Sequence, residues 1–250
     1  MNSTLSEFVN FVGEETLLVS RVKEAVEWVA SKPEGLAILE EARALHKKPL
    51  KIITDSTVYN LGYGDYLGNH VVFANPLVND HMYLHGQNGE RIHNGLERFF
   101  AHEFKHGAQS NVLINAKLYI ERRAEITAES FPIIPYAQYQ RQINIAKNDN
   151  SALKKIFGKM YDTHVGPKAL QMTKILVVKF GEDPIIQEFV AKYEVPAIEF
   201  ENLMMQKYKD EPGRTTDYIN SAIYDELIKS TDRNGFIESA LANFRLHVPI

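Results

Sequence analysis

The sequence is organised around residues 99–107, FFAHEFKHG. This stretch contains a His-Glu-x-x-His pattern, at His102, Glu103 and His106, in a segment with helical periodicity and no proline. On an α-helix, residues i and i+4 lie one above the other on the same face, so both imidazoles can reach one metal ion. Glu103 lies one step round the helix, where its carboxylate can bind a water held by that metal. The pattern therefore predicts a site for zinc-dependent hydrolysis of amides.

The helix that carries this motif is expected to be anchored in a hydrophobic core. Leu96, Phe99, Phe100 and Phe104 surround the motif and supply large apolar side chains. The alternative is a solvated helix face that carries two histidines by chance. The apolar neighbours argue against it, because such side chains are rarely all left in water.

A third metal ligand is predicted on the following helix, in residues 120–129, IERRAEITAE. A catalytic zinc site has three protein ligands and one open position for water. Glu121 follows His106 by fifteen residues, which allows a short turn and a second helix packed against the first. Glu125 or Glu129 could take the ligand position instead. An ordinary charged helix with Glu–Arg pairs would also explain these residues.

The two patterns together resemble the gluzincin group of zinc metallopeptidases, in which His-Glu-x-x-His is followed on the next helix by Glu-x-x-Ala and an acidic residue. The resemblance implies one zinc ion per chain, bound by His102, His106 and Glu121. It also implies that Glu103 is the general base and that Glu125 orients a ligand histidine. The acidic residue in this last position is more often Asp in that group, and the interval between the two motifs is short here.

The resemblance covers about residues 50–135 and implies a zincin-like core. We therefore expect an α+β fold with a small, mainly antiparallel sheet, an active-site helix and a glutamate helix. The expected organisation is a catalytic core over residues 1–135 and a largely α-helical portion over residues 136–250, packed as one compact unit. In such proteases the strand nearest the site holds extended substrate by strand addition, and residues 71–73, VVF, are the predicted strand.

The function implied by the resemblance is a zinc metalloendopeptidase that acts on a protein substrate. Gluzincins often stabilise the oxyanion with a downstream Tyr or His, and Tyr161 and His164 are the candidates here. Small proteases of this type include bacterial effectors delivered into host cells, one of which cleaves the host protein actin, and this chain is similar to them in size. Two other classes stay open: an interaction module with a structural metal or none, and a metal-dependent amidohydrolase with a non-peptide substrate.

Net charge, cysteine content and the lengths of apolar segments argue against some classes of partner and some cellular locations. The net charge is −4, so no basic excess points to nucleic acid or an anionic membrane surface. The chain has no cysteine, which excludes disulfides and Cys-type structural zinc. The N-terminal residues show no signal-peptide pattern, and the most apolar cluster, residues 175–178, is far shorter than a membrane span. We therefore expect a cytoplasmic protein, or one secreted into a host cell by a non-classical route.

Hydrophobic periodicity gives the remaining expectations for secondary structure. It predicts helices over residues 5–30 and 34–46, and strands over residues 50–53, 57–63 and 70–74. Residues 75–93 are predicted to be irregular. His81 and His85 have helical spacing but are interpreted as polar loop residues rather than a second metal site. About five or six helices are expected between residues 136 and 250.

Overall fold

The structure is a computed structural model, and it describes residues 5–12, 17–54, 62–66, 69–79, 83–130, 136–162, 167–217 and 232–247. The chain divides into two compact units. The first comprises residues 1–119 and 187–221, and the second comprises residues 120–186 and 222–250. Residues 187–221 thus belong with the N-terminal region, whereas the sequence analysis grouped them with the C-terminal helices.

The described strands all lie in the first unit. They are β1 (Val9–Val12), β2 (Leu50–Thr54), β3 (Gly62–Tyr66), β4 (Asn69–Ala74), β5 (Tyr83–His85) and β6 (Arg91–His93). The first four form one sheet in the order β1-β2-β4-β3, and β5 and β6 form a separate antiparallel pair.

Helices make up most of the described chain. They are α1 (Leu17–Ala30), α2 (Pro33–His46), α3 (Pro76–Asn79), α4 (Leu96–Gly107), α5 (Val112–Ser130), α6 (Tyr136–Ile145), α7 (Asn150–Met160), α8 (Pro167–Glu182), α9 (Pro184–Phe189), α10 (Val195–Lys209) and α11 (Arg233–His247). A 3-10 turn at Leu5–Glu7 precedes β1, and a π-helix at Val190–Glu194 joins α9 to α10. None of these helices is both long and apolar enough to cross a lipid bilayer.

The α+β class is confirmed, but the predicted mainly antiparallel sheet is wrong for the four-stranded sheet. β1 pairs in parallel with β2, and β2 pairs in parallel with β4, so only β3 is antiparallel to its neighbour. Parallel neighbours need a long crossover connection, and α1 and α2 lie between β1 and β2 in the chain. The helix predicted over residues 5–30 is wrong at residues 9–12, which form β1, and without β1 the parallel arrangement could not be predicted.

The strand predicted to hold the substrate is also assigned wrongly. Residues 71–73 lie in β4, which is hydrogen-bonded to β2 on one side and to β3 on the other. A strand paired on both sides cannot accept a further strand. Among the strands that the structure describes, the edge of the sheet on this side is β3, whose Tyr63 pairs with Val72.

Other secondary-structure predictions have mixed outcomes. The helix at 34–46 and the strand at 50–53 are confirmed by α2 and β2. The strand expected at 57–63 begins at Gly62 in the structure, and residues 57–61 lie outside the described residues. Residues 75–93 contain α3, β5 and β6 rather than only loop; His85 ends β5, and His81 lies outside the described residues.

The core of the first unit is built around α4. This helix contacts α1, α2, β3 and α10, and most of its side chains are buried on all sides. Its fully buried aromatic residues are Phe100 and Phe104. They pack with residues from the surrounding helices and sheet, among them Val22, Val26, Leu39, Leu50, Ile52, Val72, Met204 and Met205. The second unit has its own core between α7 and α11, formed by Leu153, Phe157, Ile237 and Leu241.

Candidate metal centre

Two histidines on α4 converge on one point inside the first unit. His102 and His106 are four residues apart on the helix, and their Nε2 atoms lie 3.1 Å apart. Both residues are buried, at 8% and 7% exposure. Histidines are seldom this buried without a defined partner, so their burial here calls for one.

Glu194 supplies the third ligand atom. Its Oε2 lies 3.4 Å from His102 Nε2 and 3.7 Å from His106 Nε2, and the residue is itself buried. Glu194 is the last residue of the π-helix that precedes α10. Such an extra-wide turn is often found at functional sites, because it redirects one side chain relative to a regular helix. His102, His106 and Glu194 form a group that could hold a metal ion.

The distances within this group fit tetrahedral coordination. Zinc bonds of 2.0–2.2 Å to nitrogen and oxygen place two ligand atoms of a tetrahedron about 3.3–3.5 Å apart. Of the three separations found, 3.4 Å lies within this range, 3.1 Å is slightly shorter and 3.7 Å is slightly longer. The site therefore needs only small side-chain adjustments to close around an ion.

The hydrogen bonds behind the two imidazoles determine which atoms face the centre. His102 Nδ1 lies 3.2 Å from a carboxylate oxygen of Glu201, and His106 Nδ1 lies 2.8 Å from the side-chain oxygen of Gln109. Gln109 is oriented by its amide nitrogen, which donates to the Tyr193 carbonyl at 2.9 Å. Since both partners accept, both Nδ1 atoms carry hydrogen, and each Nε2 atom presents a lone pair to the centre when its imidazole is neutral. Three converging acceptors repel one another unless a cation lies between them.

The pKa shifts of His102 and Glu194 are those expected of a site that prefers a positive charge. Burial by itself lowers the pKa of His102, but hydrogen bonds to Glu194 and Glu201 and the nearby charge of Glu103 outweigh it and raise that pKa to about 10. Burial by itself raises the pKa of Glu194, but hydrogen bonds from His102 and His106 hold it well below its usual range. The centre therefore stabilises a cation, either a proton or a metal ion.

Glu201 is ion-paired with two arginines behind the site. Burial alone would raise the pKa of Glu201, but its hydrogen bond to His102 and the charges of Arg214 and Arg98 lower it. Arg98 Nη1 lies 3.0 Å from Glu201 Oε1, and Arg214 Nη1 lies 3.5 Å from Glu201 Oε2. Asn202 fixes the Arg214 backbone through bonds of 2.6 and 2.7 Å. This network keeps a charged acceptor behind His102, which would make the imidazole a better ligand.

Glu103 lies beside the centre without belonging to the ligand group. Its Oε2 accepts a hydrogen bond of 2.7 Å from the Tyr63 backbone N–H, on the edge strand β3. The preceding residue, Gly62, has φ +138°, a conformation that L side chains rarely adopt. A Cβ at that position would lie 3.5–3.8 Å from the Glu103 carboxyl group. Glycine thus lets the strand turn its Tyr63 N–H towards the carboxylate.

The carboxylates expected as third ligand are not in the group that the structure brings together. Glu121, Glu125 and Glu129 lie on α5 with exposed side chains, in the part of the chain that belongs to the second unit. Glu125 pairs with Arg122 at 2.9 Å. The described group contains Glu194 instead. A metal-binding role for Glu121 and an orienting role for Glu125 stay predictions.

Of the two residues predicted to stabilise the oxyanion, the structure describes one. Tyr161 lies in the second unit, is buried, and packs against Phe236 with ring centroids 5.6 Å apart. His164 lies outside the described residues. The oxyanion role of both residues stays a prediction.

Sequence reasoning missed Glu194 and Glu201, although one signal was available. The two residues are seven apart, and on a helix this spacing places them on the same face. Their neighbours on α10 are apolar and buried, among them Ala197, Ile198 and Met205. Two carboxylates on an apolar helix face are unusual, because buried Glu is almost always paired or bound to a metal.

Replacing Gln109 by alanine should weaken metal binding about 10- to 100-fold, the usual effect of removing a partner that orients a ligand histidine. The physical reason is that His106 loses the acceptor that fixes its ring and tautomer. Titration with a chromogenic competing chelator measures the affinity. Gln206→Ala, at an exposed position on α10, is the matched control. Equal affinity in Gln109→Ala and wild type would contradict this role.

Comparison of the chain with protein-family models, with curated proteins and with solved structures finds no match.

Proposed function

We propose that this protein is a zinc-dependent metallopeptidase in which His102, His106 and Glu194 bind the metal and Glu103 is the general base. The observation that carries the proposal is the convergence of two Nε2 atoms and one carboxylate oxygen, 3.1–3.7 Å apart, in a buried site. A nitrogen, nitrogen and oxygen set of this size suits zinc among the common divalent ions.

The number of ligands favours catalysis over a structural metal. Structural zinc sites use four protein ligands, whereas catalytic sites use three and leave one position for water or substrate. Among the residues that the structure describes, the group has three members. This count supports a hydrolase rather than an interaction module with a structural ion.

Glu103 is suited to move the proton during hydrolysis. When bound, the metal would polarise the scissile carbonyl and acidify the attacking water. Glu103 takes a proton from that water while the water oxygen bonds to the carbonyl carbon. Glu103 then delivers the proton to the amide nitrogen when the C–N bond breaks. The Tyr63 N–H holds Oε2 of the carboxylate at 2.7 Å and so restricts its orientation.

The edge strand β3 favours an extended peptide as substrate. Its residues Gly62 and Tyr63 lie directly against Glu103, and β4 is its partner in the sheet. An extended chain that adds to the outer edge of β3 would pass over the general base. We therefore propose a protein or peptide substrate, and a host protein such as actin belongs in the panel of substrates to be assayed.

Metal content and peptide cleavage together test the proposal. We expect about one zinc per chain in the wild-type protein by elemental mass spectrometry, and cleavage of members of a mixed peptide library that stops when the metal is removed and resumes when zinc is returned. His106→Ala should lose both properties, since it removes one of three ligands. His85→Ala, on β5 and outside the ligand group, is the matched control and should keep both. A wild-type protein that takes up no zinc, or a zinc-loaded protein that cleaves no peptide, would contradict the proposal.

A further inference from the structure

A second cluster of titratable side chains lies in the first unit, and the proposed chemistry does not use it. It consists of Tyr63 on β3, His46 at the end of α2 and His70 on β4. The Tyr63 hydroxyl lies 3.1 Å from His46 Nε2 and 2.5 Å from His70 Nδ1. The two imidazole rings lie with their centroids 3.5 Å apart and their planes tilted by 31°. We call these three residues the tyrosine cluster.

The tyrosine cluster is also bonded to the helix that carries the metal ligands. His46 Nε2 lies 2.7 Å from the carbonyl oxygen of Gly107, the last residue of α4. Because a carbonyl can only accept, His46 Nε2 carries a hydrogen and cannot accept one from Tyr63. Of the two imidazoles, His70 is therefore the one that can accept the Tyr63 hydrogen, at Nδ1. The single Nε2 hydrogen of His46 is shared between the Gly107 carbonyl at 2.7 Å and the Tyr63 oxygen at 3.1 Å, so the ring of Tyr63 is held by both histidines.

We propose that the tyrosine cluster positions the general base, with Tyr63 as the positioning residue. The backbone N–H of Tyr63 donates to Glu103 Oε2 at 2.7 Å, and the side chain of the same residue is held by α2 and β4. Fixing the ring therefore fixes the N–H that orients the carboxylate. The inference rests on the proposed function, because it matters only if Glu103 moves a proton.

Two features of β3 show why its backbone needs such an anchor. The strand is at the edge of the sheet, and Gly62 and Gly64 flank Tyr63. Glycine restricts the backbone less than any other residue does. A displacement of a catalytic group by about 1 Å can cost about 100-fold in rate, so a small movement of β3 would be measurable.

Tyr63→Phe is the direct test, since it removes the hydroxyl and keeps the ring and the backbone N–H. We expect kcat to fall by about 10-fold, with KM within about twofold and zinc content unchanged, because no ligand is touched. We also expect amide hydrogen exchange at residue 63 to be about 10-fold faster, since the strand opens more often. Tyr208→Phe is the matched control: its hydroxyl donates to Glu34 at 2.5 Å, and its loss should change none of these quantities.

A pair of substitutions at His70 separates positioning from general stability. In His70→Gln the side-chain carbonyl can still accept the Tyr63 hydrogen, so kcat should stay within about threefold of wild type. In His70→Phe no acceptor remains, and kcat should fall as it does in Tyr63→Phe. If kcat falls equally in the two His70 variants, the proposal is overturned. It is also overturned if kcat and the rate of amide exchange in Tyr63→Phe equal those of the wild type.

The two proposals fail in different ways. If the wild-type protein binds no zinc or cleaves no peptide, the proposed function is wrong. Amide exchange can then still be measured at residue 63, where faster exchange in Tyr63→Phe supports the anchor and unchanged exchange excludes it. If the wild type is active and kcat in Tyr63→Phe equals wild type, the peptidase stands and the positioning role is wrong.

Discussion

Replacing Glu103 by glutamine is expected to lower kcat/KM for peptide hydrolysis by about 1,000-fold or more while zinc stays bound. General acid–base catalysis contributes about 10²–10⁴-fold, and a glutamine side chain cannot take up the proton of the attacking water. Its amide oxygen can still accept the Tyr63 N–H, so the geometry around α4 should be kept. Kinetics on a cleaved peptide, beside elemental analysis of the same preparation, measures both quantities.

The matched control is Glu97→Gln on the same helix. Glu97 pairs with Lys209 at 3.0 Å near the surface, and a pair of this kind contributes little to stability. This variant should therefore keep its activity within about twofold, as expected for a weak surface pair. Full activity in Glu103→Gln would show that another group takes the proton. Loss of zinc in Glu103→Gln would show that the residue acts on the metal site itself.

Replacing Glu194 by glutamine should weaken zinc binding by more than about 100-fold, beyond the effect of losing a histidine's hydrogen-bond partner. The variant removes the anionic ligand and leaves a neutral amide, which binds zinc poorly. The fold should persist, because an amide is easier to bury than a carboxylate. Competition with a chelator gives the affinity, and circular dichroism checks the fold.

Substitutions at two further glutamates show whether Glu194 or another carboxylate is the third ligand. Glu121→Gln tests the ligand that the resemblance implied, and Glu199→Gln removes an exposed carboxylate on α10, close to Glu194 in the chain. If Glu194 is the ligand, both variants keep wild-type affinity. If Glu121→Gln loses zinc and Glu194→Gln keeps it, the sequence-based assignment is right and the one drawn from the structure is wrong.

The errors in the predicted fold have a common physical origin. Residues 9–12, VNFV, fall within the helix predicted over residues 5–30, but they form a strand that pairs with β2. Short apolar segments suit either structure, and pairing with a distant strand decides between them. The same limit applies to residues 71–73, where sequence cannot distinguish an interior strand from an edge strand. Helix α2 was predicted correctly because its periodicity and its breaks are local.

The part of the site that lies within one helix can be predicted from residue spacing alone. The spacing of His102 and His106 places both imidazoles on one face of α4, and Glu103 follows from the same local geometry. The third ligand and the hydrogen-bond partner of Glu103 follow instead from how distant segments pack. Glu194 reaches the histidines because α10 packs against α4, and the Tyr63 N–H reaches Glu103 because β3 pairs with β4. Helical spacing is fixed by backbone hydrogen bonds between near neighbours, whereas these contacts depend on the packing of segments that are far apart in the chain.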